Sequence, residues 1–156
     1  MTETAKSLPN DTQARIVDAL NQSLAETAVT TMLAQNFHWN VKGMAFGSLH
    51  ALFQEIYEDH FAAQDDLAER VRALGGHAEG RLATMLERSK VAESDGHATD
   101  KEMISMMHSA QETLAKTLAD AAETSAEAGD SLSEDLCIAR GQVHEKFAWM
   151  MRAHLA

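Results

Sequence analysis

Four side chains between residues 36 and 76 are of the types that bind a transition metal. His38 and His50 flank a glycine-containing loop, and Asp65 and Glu69 follow four residues apart on a long helical pattern. Imidazole and carboxylate together are a ligand set suited to a metal such as iron, and zinc can occupy the same donors. Spacing alone leaves two accounts open for the carboxylates. Held near an apolar interface they would repel one another and be relieved by a cation; on a solvated face they would be balanced by Arg70 and Arg72. A lone His38 would read as structural. The remaining histidines have plainer readings: His77, His97 and His154 lie in polar or terminal segments and read as solvated, and His108 and His144, on helical patterns, read as structural. His60, beside an apolar stripe, reads as a hydrogen-bonded structural histidine. Cys137, the one cysteine, sits between Leu136 and Ile138 and reads as a small core residue.

The elements that must position these groups are helical. One proline, few aromatics and many Ala, Leu, Glu and Met residues favour helix. Residues 1–10 read as a short flexible tail, and 11–156 as one domain. From Asp11 to about Asn40, Ile16, Leu20, Leu24, Thr27 and Thr31 recur on one face, and His38, a whole number of turns beyond Leu20, projects from the same side. Gly43 and Gly47 break the pattern, Ser48 is placed to cap a second helix, and that helix ends at Gly75-Gly76. Its core stripe is Phe53, Ile56, Tyr57, Leu67, Val71 and Leu74. Gln54, Glu58, Phe61, Asp65 and Glu69 form a second stripe roughly 100° away, bordering the core. A connection from His77 to Gly96 holds one short helical piece at 82–86. Thr99 with Glu102 is a capping box for a third helix, with the stripe Met103, Met107, Ala110, Leu114, Leu118 and Ala121 and an end near Gly129. Ser131 with Glu134 reads as a second capping box, and Leu136, Ala139, Val143, Phe147 and Met150 as the apolar face of a fourth helix. An all-α four-helix bundle with a short helix in a long crossover between its second and third helices fits a ferritin-like topology better than a simple up-down-up-down one.

The formal net charge is −11, from 13 basic and 24 acidic residues. That argues against a general phosphate-binding surface, since nucleic-acid affinity rests on clustered cations. No apolar run approaches the ~20 residues that cross a bilayer, and the first residues lack the apolar segment of a secretory signal, so a cytoplasmic protein with no membrane partner is expected.

The motifs His38-Trp39-Asn40-Val41-Lys42-Gly43, Ser48-Leu49-His50, Asp65 with Ala68-Glu69-Arg70, and Leu74-Gly75-Gly76 together resemble the Dps family of ferritin-like mini-ferritins. The resemblance runs from about residue 10 through Asp135, Lys146-Phe147 and Trp149 of the last helix. It implies a dodecameric homo-oligomeric shell that oxidises Fe2+ to Fe3+, with hydrogen peroxide as electron acceptor, and stores the product: a ferroxidase serving iron storage and the oxidative stress response. It implies sites between two-fold-related subunits, with His38 and His50 from one chain, Asp65 and Glu69 from its neighbour, and two irons per site. It places Trp39 at the site, either packing at the dimer contact or donating electrons, with packing preferred. It points to Asp130, Glu134 and Asp135 as lining an acidic pore, beside their ordinary role as acids at a helix N-terminus. One departure stands out. Where the family carries an acidic ligand four residues after the second histidine, this chain has Gln54, a neutral and weaker donor; Glu58 on the same stripe, or Glu55 beside it, could compensate. Two alternatives follow. One is the DNA-compacting stress protein for which the family is named, disfavoured because the tail offers only Lys6 and twelve copies at −11 each come to −132. The other is a passive metal-binding cage whose ferroxidase activity is impaired by Gln54.

Overall fold

Helix-forming composition and the stripes above build five helices in the computed structural model, which describes residues 10–156. They are α1 (Asn10–Asn40), α2 (Phe46–Ala73), α3 (Leu82–Arg88), α4 (Asp100–Glu127) and α5 (Ser131–Leu155). The tail reading for residues 1–9 lies outside the described residues, and Asn10, read as its last residue, is the first of α1. None of the described helices is long and apolar enough to cross a membrane.

The crossover decides the topology. Its hydrogen bonds climb α1 from one end to the other: the Asn21 amide bridges the His77 carbonyl and the Glu79 N–H, and Gln22 donates to the Arg88 carbonyl. Higher up, Glu26 accepts from the Lys90 N–H and Asn36 donates to the Ser94 carbonyl. The connection therefore travels the length of the bundle before α4 begins, and α2 and α4 start at the same end. This is the ferritin-like arrangement, with α1 packed on α2 and α4, α4 on α5, and α3 lying against α1. Gly96 makes the last step possible. Its φ of +80° suits glycine, and a β-carbon there would collide with the Asn36 side chain.

Helix ends follow local chemistry, with two shifts from the sequence reading. Thr99 and Glu102 do form a reciprocal capping box on α4. α2, however, starts at Phe46 with Ala45 as its N-cap, so Ser48 lies inside the first turn, where its hydroxyl donates to the Ala45 carbonyl. On α5 the cap is Asp130, not Ser131: the Asp130 carboxylate accepts from the Ser133 N–H and hydroxyl.

The core has two apolar ends and a polar waist. One cluster gathers Phe37, Leu49, Phe53, Ile56, Met103, Met107 and Met151; the other gathers Ile16, Leu20, Leu67, Val71, Leu118 and Cys137. Between them are the hydroxyls of Thr27 and Thr31, each satisfied by a carbonyl one turn back, together with Gln111, His60, Arg140 and His144. The stripes foreseen on α1 and α4 are buried. On α5 the buried face is Cys137, Arg140, His144, Phe147 and Met151, about one residue round from the foreseen stripe, leaving Ala139 exposed and Val143 and Met150 half-buried. The displacement arises because two of its inward residues are polar, so an apolar count points the helix the wrong way.

Candidate metal centre

The two histidines of the loop flanks come together. His38 closes α1 and His50 lies in the first turns of α2, and the short connection stacks their rings at 3.7 Å between centroids with 14° between planes. Each ring nitrogen Nδ1 lies against the other residue's main-chain carbonyl: His38 Nδ1–H donates to the His50 oxygen at 2.6 Å, and His50 Nδ1–H donates to the His38 oxygen at 2.7 Å. A carbonyl can only accept, so both Nδ1 atoms carry the proton and both Nε2 atoms keep a lone pair. That is the tautomer a metal requires, fixed by backbone on the far side of each ring. Phe46 stacks on the outer face of His50 at 5.1 Å, and Tyr57 meets His38 edge-on at 5.3 Å. The sequence reading placed Tyr57 only in the core and gave Phe46 no role; their contact with the imidazoles follows from i+4 spacing to His50 and from the loop geometry.

The carboxylates lie elsewhere on the chain. Asp65 and Glu69 are exposed on α2, several turns beyond His50. Neither forms an ion pair or a side-chain hydrogen bond among the described residues, because the arginines that might have balanced them are engaged: Arg70 binds Asp130 and Ser133, and Arg72 donates to the Gly76 carbonyl. No three His, Cys, Asp or Glu side chains of the described residues converge to hold a metal within one chain. Gln54, half-buried, donates from Nε2 to Glu58 Oε1 at 2.8 Å, and Glu58 is exposed.

His60 is the structural residue foreseen, with the half-buried Asp59 beside it and the buried Gln111 across from it as partners. Its Nδ1–H donates to Asp59 at 2.9 Å and its Nε2 accepts from the Gln111 amide at 2.9 Å. The Gln111 carbonyl oxygen in turn accepts from His144 Nδ1–H at 2.7 Å. Arg140 closes the set with two hydrogen bonds to Asp59, at 2.7 and 3.2 Å. Donors and acceptors match only if both imidazoles are neutral. Burial pushes both rings below the usual histidine range, His144 well below it. Burial opposes the Asp59 charge, but the hydrogen bonds from His60 and Arg140 outweigh it and hold that carboxyl well below its usual range. The waist is thus a largely buried polar network with its own cation, reaching solvent at Asp59.

Of the three acids at the start of α5, Asp130 is buried and committed to the cap and to Arg70 at 2.9 Å, while Glu134 is half-buried and Asp135 exposed. Trp39 is 61% exposed next to His38, and it lines an apolar groove of about 460 Å³ with Met32, Leu33, Leu82 and Leu86. Cys137 is buried and its thiol is pushed up to about 11 by that burial, which makes it inert.

Comparison with known proteins gives one answer. The sequence profile described as the ferritin-like domain matches residues 17–156. The chain is 35% identical over 136 residues to the DNA protection during starvation protein of Brevibacillus brevis, covering 87% of this chain and 91% of the relative. It superposes on the crystal structure of Dps from Staphylococcus aureus with a TM-score of 0.90 at 36% identity, covering 92% of this chain and 97% of that one. It also superposes, with a TM-score of 0.90 at 26% identity, on a Vibrio cholerae protein described as a member of a broad superfamily of ferritin-like diiron-carboxylate proteins, over 99% and 100% of the two chains.

Proposed function

For a chain that belongs to the Dps family of ferritin-like proteins, we propose iron oxidation and storage at sites shared between two copies. The observation that carries this reading is the reciprocal bonding of His38 and His50. It presents two Nε2 lone pairs side by side while, in the same chain, Asp65 and Glu69 stand exposed without a cation. Two half-sites on one molecule are what an isologous two-fold contact would join, since each surface then meets the other's complement. The groove holding Trp39, Leu82 and Leu86 supplies an apolar surface for such a contact and supports packing as the role of Trp39.

Iron is the substrate. Each of two Fe(II) ions gives one electron to hydrogen peroxide; the O–O bond breaks, two protons are taken up, and two Fe(III) and two waters result. The imidazoles hold Fe(II), and the carboxylates gain hold as charge rises to Fe(III). A shell of such chains would keep the product, with Glu134 and Asp135 as the acids available to a pore; Asp130 would line it only from within its pair with Arg70. The charge of −11 favours cation entry over DNA as partner. The test is anaerobic Fe(II) oxidation by peroxide. Wild type consumes one peroxide per two Fe(II) without releasing hydroxyl radical to a spin trap, and His50→Ala falls to the uncatalysed rate. Equal rates in the two proteins would refute the reading.

A further inference from the structure

The Gln54–Glu58 hydrogen bond assigns a role to Glu58 that rests on the reading above. One turn beyond His50 on the stripe that leads to Asp65 and Glu69, Gln54 donates from its amide nitrogen to Glu58 at 2.8 Å. A carboxylate can only accept, so the bond consumes an N–H of Gln54 and settles which end of the amide is which. The free end is the carbonyl oxygen Oε1, which has no protein partner among the described residues. An amide left alone would offer its nitrogen as readily as its oxygen, and the nitrogen has no lone pair for a metal. We infer that Glu58 is a positioning residue: by holding the amide nitrogen it presents Gln54 Oε1 as a neutral oxygen donor beside His50.

Two consequences follow from charge. With Oε1 accepting from Gln54, Glu58 acts behind the ligand and not in its place. The donor set of a shared site is then two neutral imidazoles, one neutral amide oxygen and two carboxylates. Its charge of −2 balances a single divalent cation, so a second is held weakly and occupies the site only during turnover. Selectivity for one tightly held ion over a pair is therefore written into Gln54. An aspartate at that position would add the missing charge and, one turn from Glu58, would repel it instead of using it.

The measurement is calorimetric titration of the assembled, metal-free protein with Co(II) alone, with the visible spectrum of bound Co(II) as a second readout. Wild type takes up one tight ion per site and Gln54→Asp gains a second. Glu58→Ala weakens the tight ion about tenfold, as loss of a partner behind a ligand does. Glu58→Gln, whose amide oxygen still accepts from Gln54, restores it. In a Gln54→Leu background, Glu58→Ala has no further effect. An equal loss in both backgrounds, or failure of Glu58→Gln to rescue, would make Glu58 a ligand or a diffuse charge and overturn the inference. His50→Ala separates the two levels. If it leaves Co(II) binding unchanged, the site itself is wrong; if it abolishes binding while Glu58→Ala does nothing, only the role of Glu58 is.

Discussion

His144 illustrates how a buried neutral ring makes stability depend on pH. In the folded protein its ring is neutral, donating to Gln111 and facing Arg140, and a second proton would find a guanidinium where it needs an acceptor. The unfolded chain, with an ordinary histidine pKa of about 6.5, takes that proton first. Stability is therefore intact above about pH 6.5 and erodes as pH falls below it, by up to about 1.4 kcal/mol per pH unit for each such ring. Asp59 works in the same direction at lower pH, since its stabilising contacts are lost only as it protonates. Urea unfolding of wild type and His144→Gln at one protein concentration, at pH 7.5, 6.5 and 5.5, should show a shallower decline in the variant; parallel declines would contradict the neutral ring. At this scale the sequence was legible where chemistry repeats a local pattern, as with His38 and His50. It was not legible where partners are far apart in the chain, because Gln111 meets His60 and His144, and Arg140 meets Asp59, only after α2, α4 and α5 pack.

The helices themselves were read largely from apolar spacing and capping residues, and the two errors on α5 share a tertiary cause. A capping signal specifies a turn but not which neighbouring hydroxyl or carboxylate wins it. Asp130 wins over Ser131 because Arg70 from α2 fixes its carboxylate. That tertiary partner also separates two otherwise similar caps. Thr99→Ala removes a cap on the surface and should cost about 1 kcal/mol. Asp130→Ala removes a buried cap and leaves Arg70 without its ion partner, so it should cost roughly 3 kcal/mol. Denaturant unfolding of both variants checks the order, and equal losses would mean that the Arg70 pair contributes nothing. The rotation of α5 has a similar origin: Arg140 and His144 point inward because the waist supplies their partners, and an apolar pattern cannot register that.

For the whole molecule, the crossover bears on the proposed half-sites through the apolar surface beside Trp39. The climb of residues 77–96 along α1 covers that helix's flank, yet Trp39 and Leu82 remain 61% and 79% exposed. The fold class and crossover were legible because a long polar connection with a single short helix has few other uses in a four-helix protein. The proposed division of the site between two chains has only part of its basis in the sequence. Placing Asp65 and Glu69 on a stripe at the edge of the core removed them from the bundle interior, but the proposed site needs a second copy to complete it, and nothing in one sequence's periodicity encodes a symmetry axis. In the proposed site, His38 and His50 of one chain act with Asp65 and Glu69 of another. Mixing tests it directly: co-assemble a His38→Ala/His50→Ala chain with an Asp65→Asn/Glu69→Gln chain and measure peroxide-driven Fe(II) oxidation. Each variant alone should be inactive. In the mixture each heterodimer regains one intact site, and random pairing returns about a quarter of the wild-type activity. If the mixture remains as inactive as its parts, the site is not shared between chains.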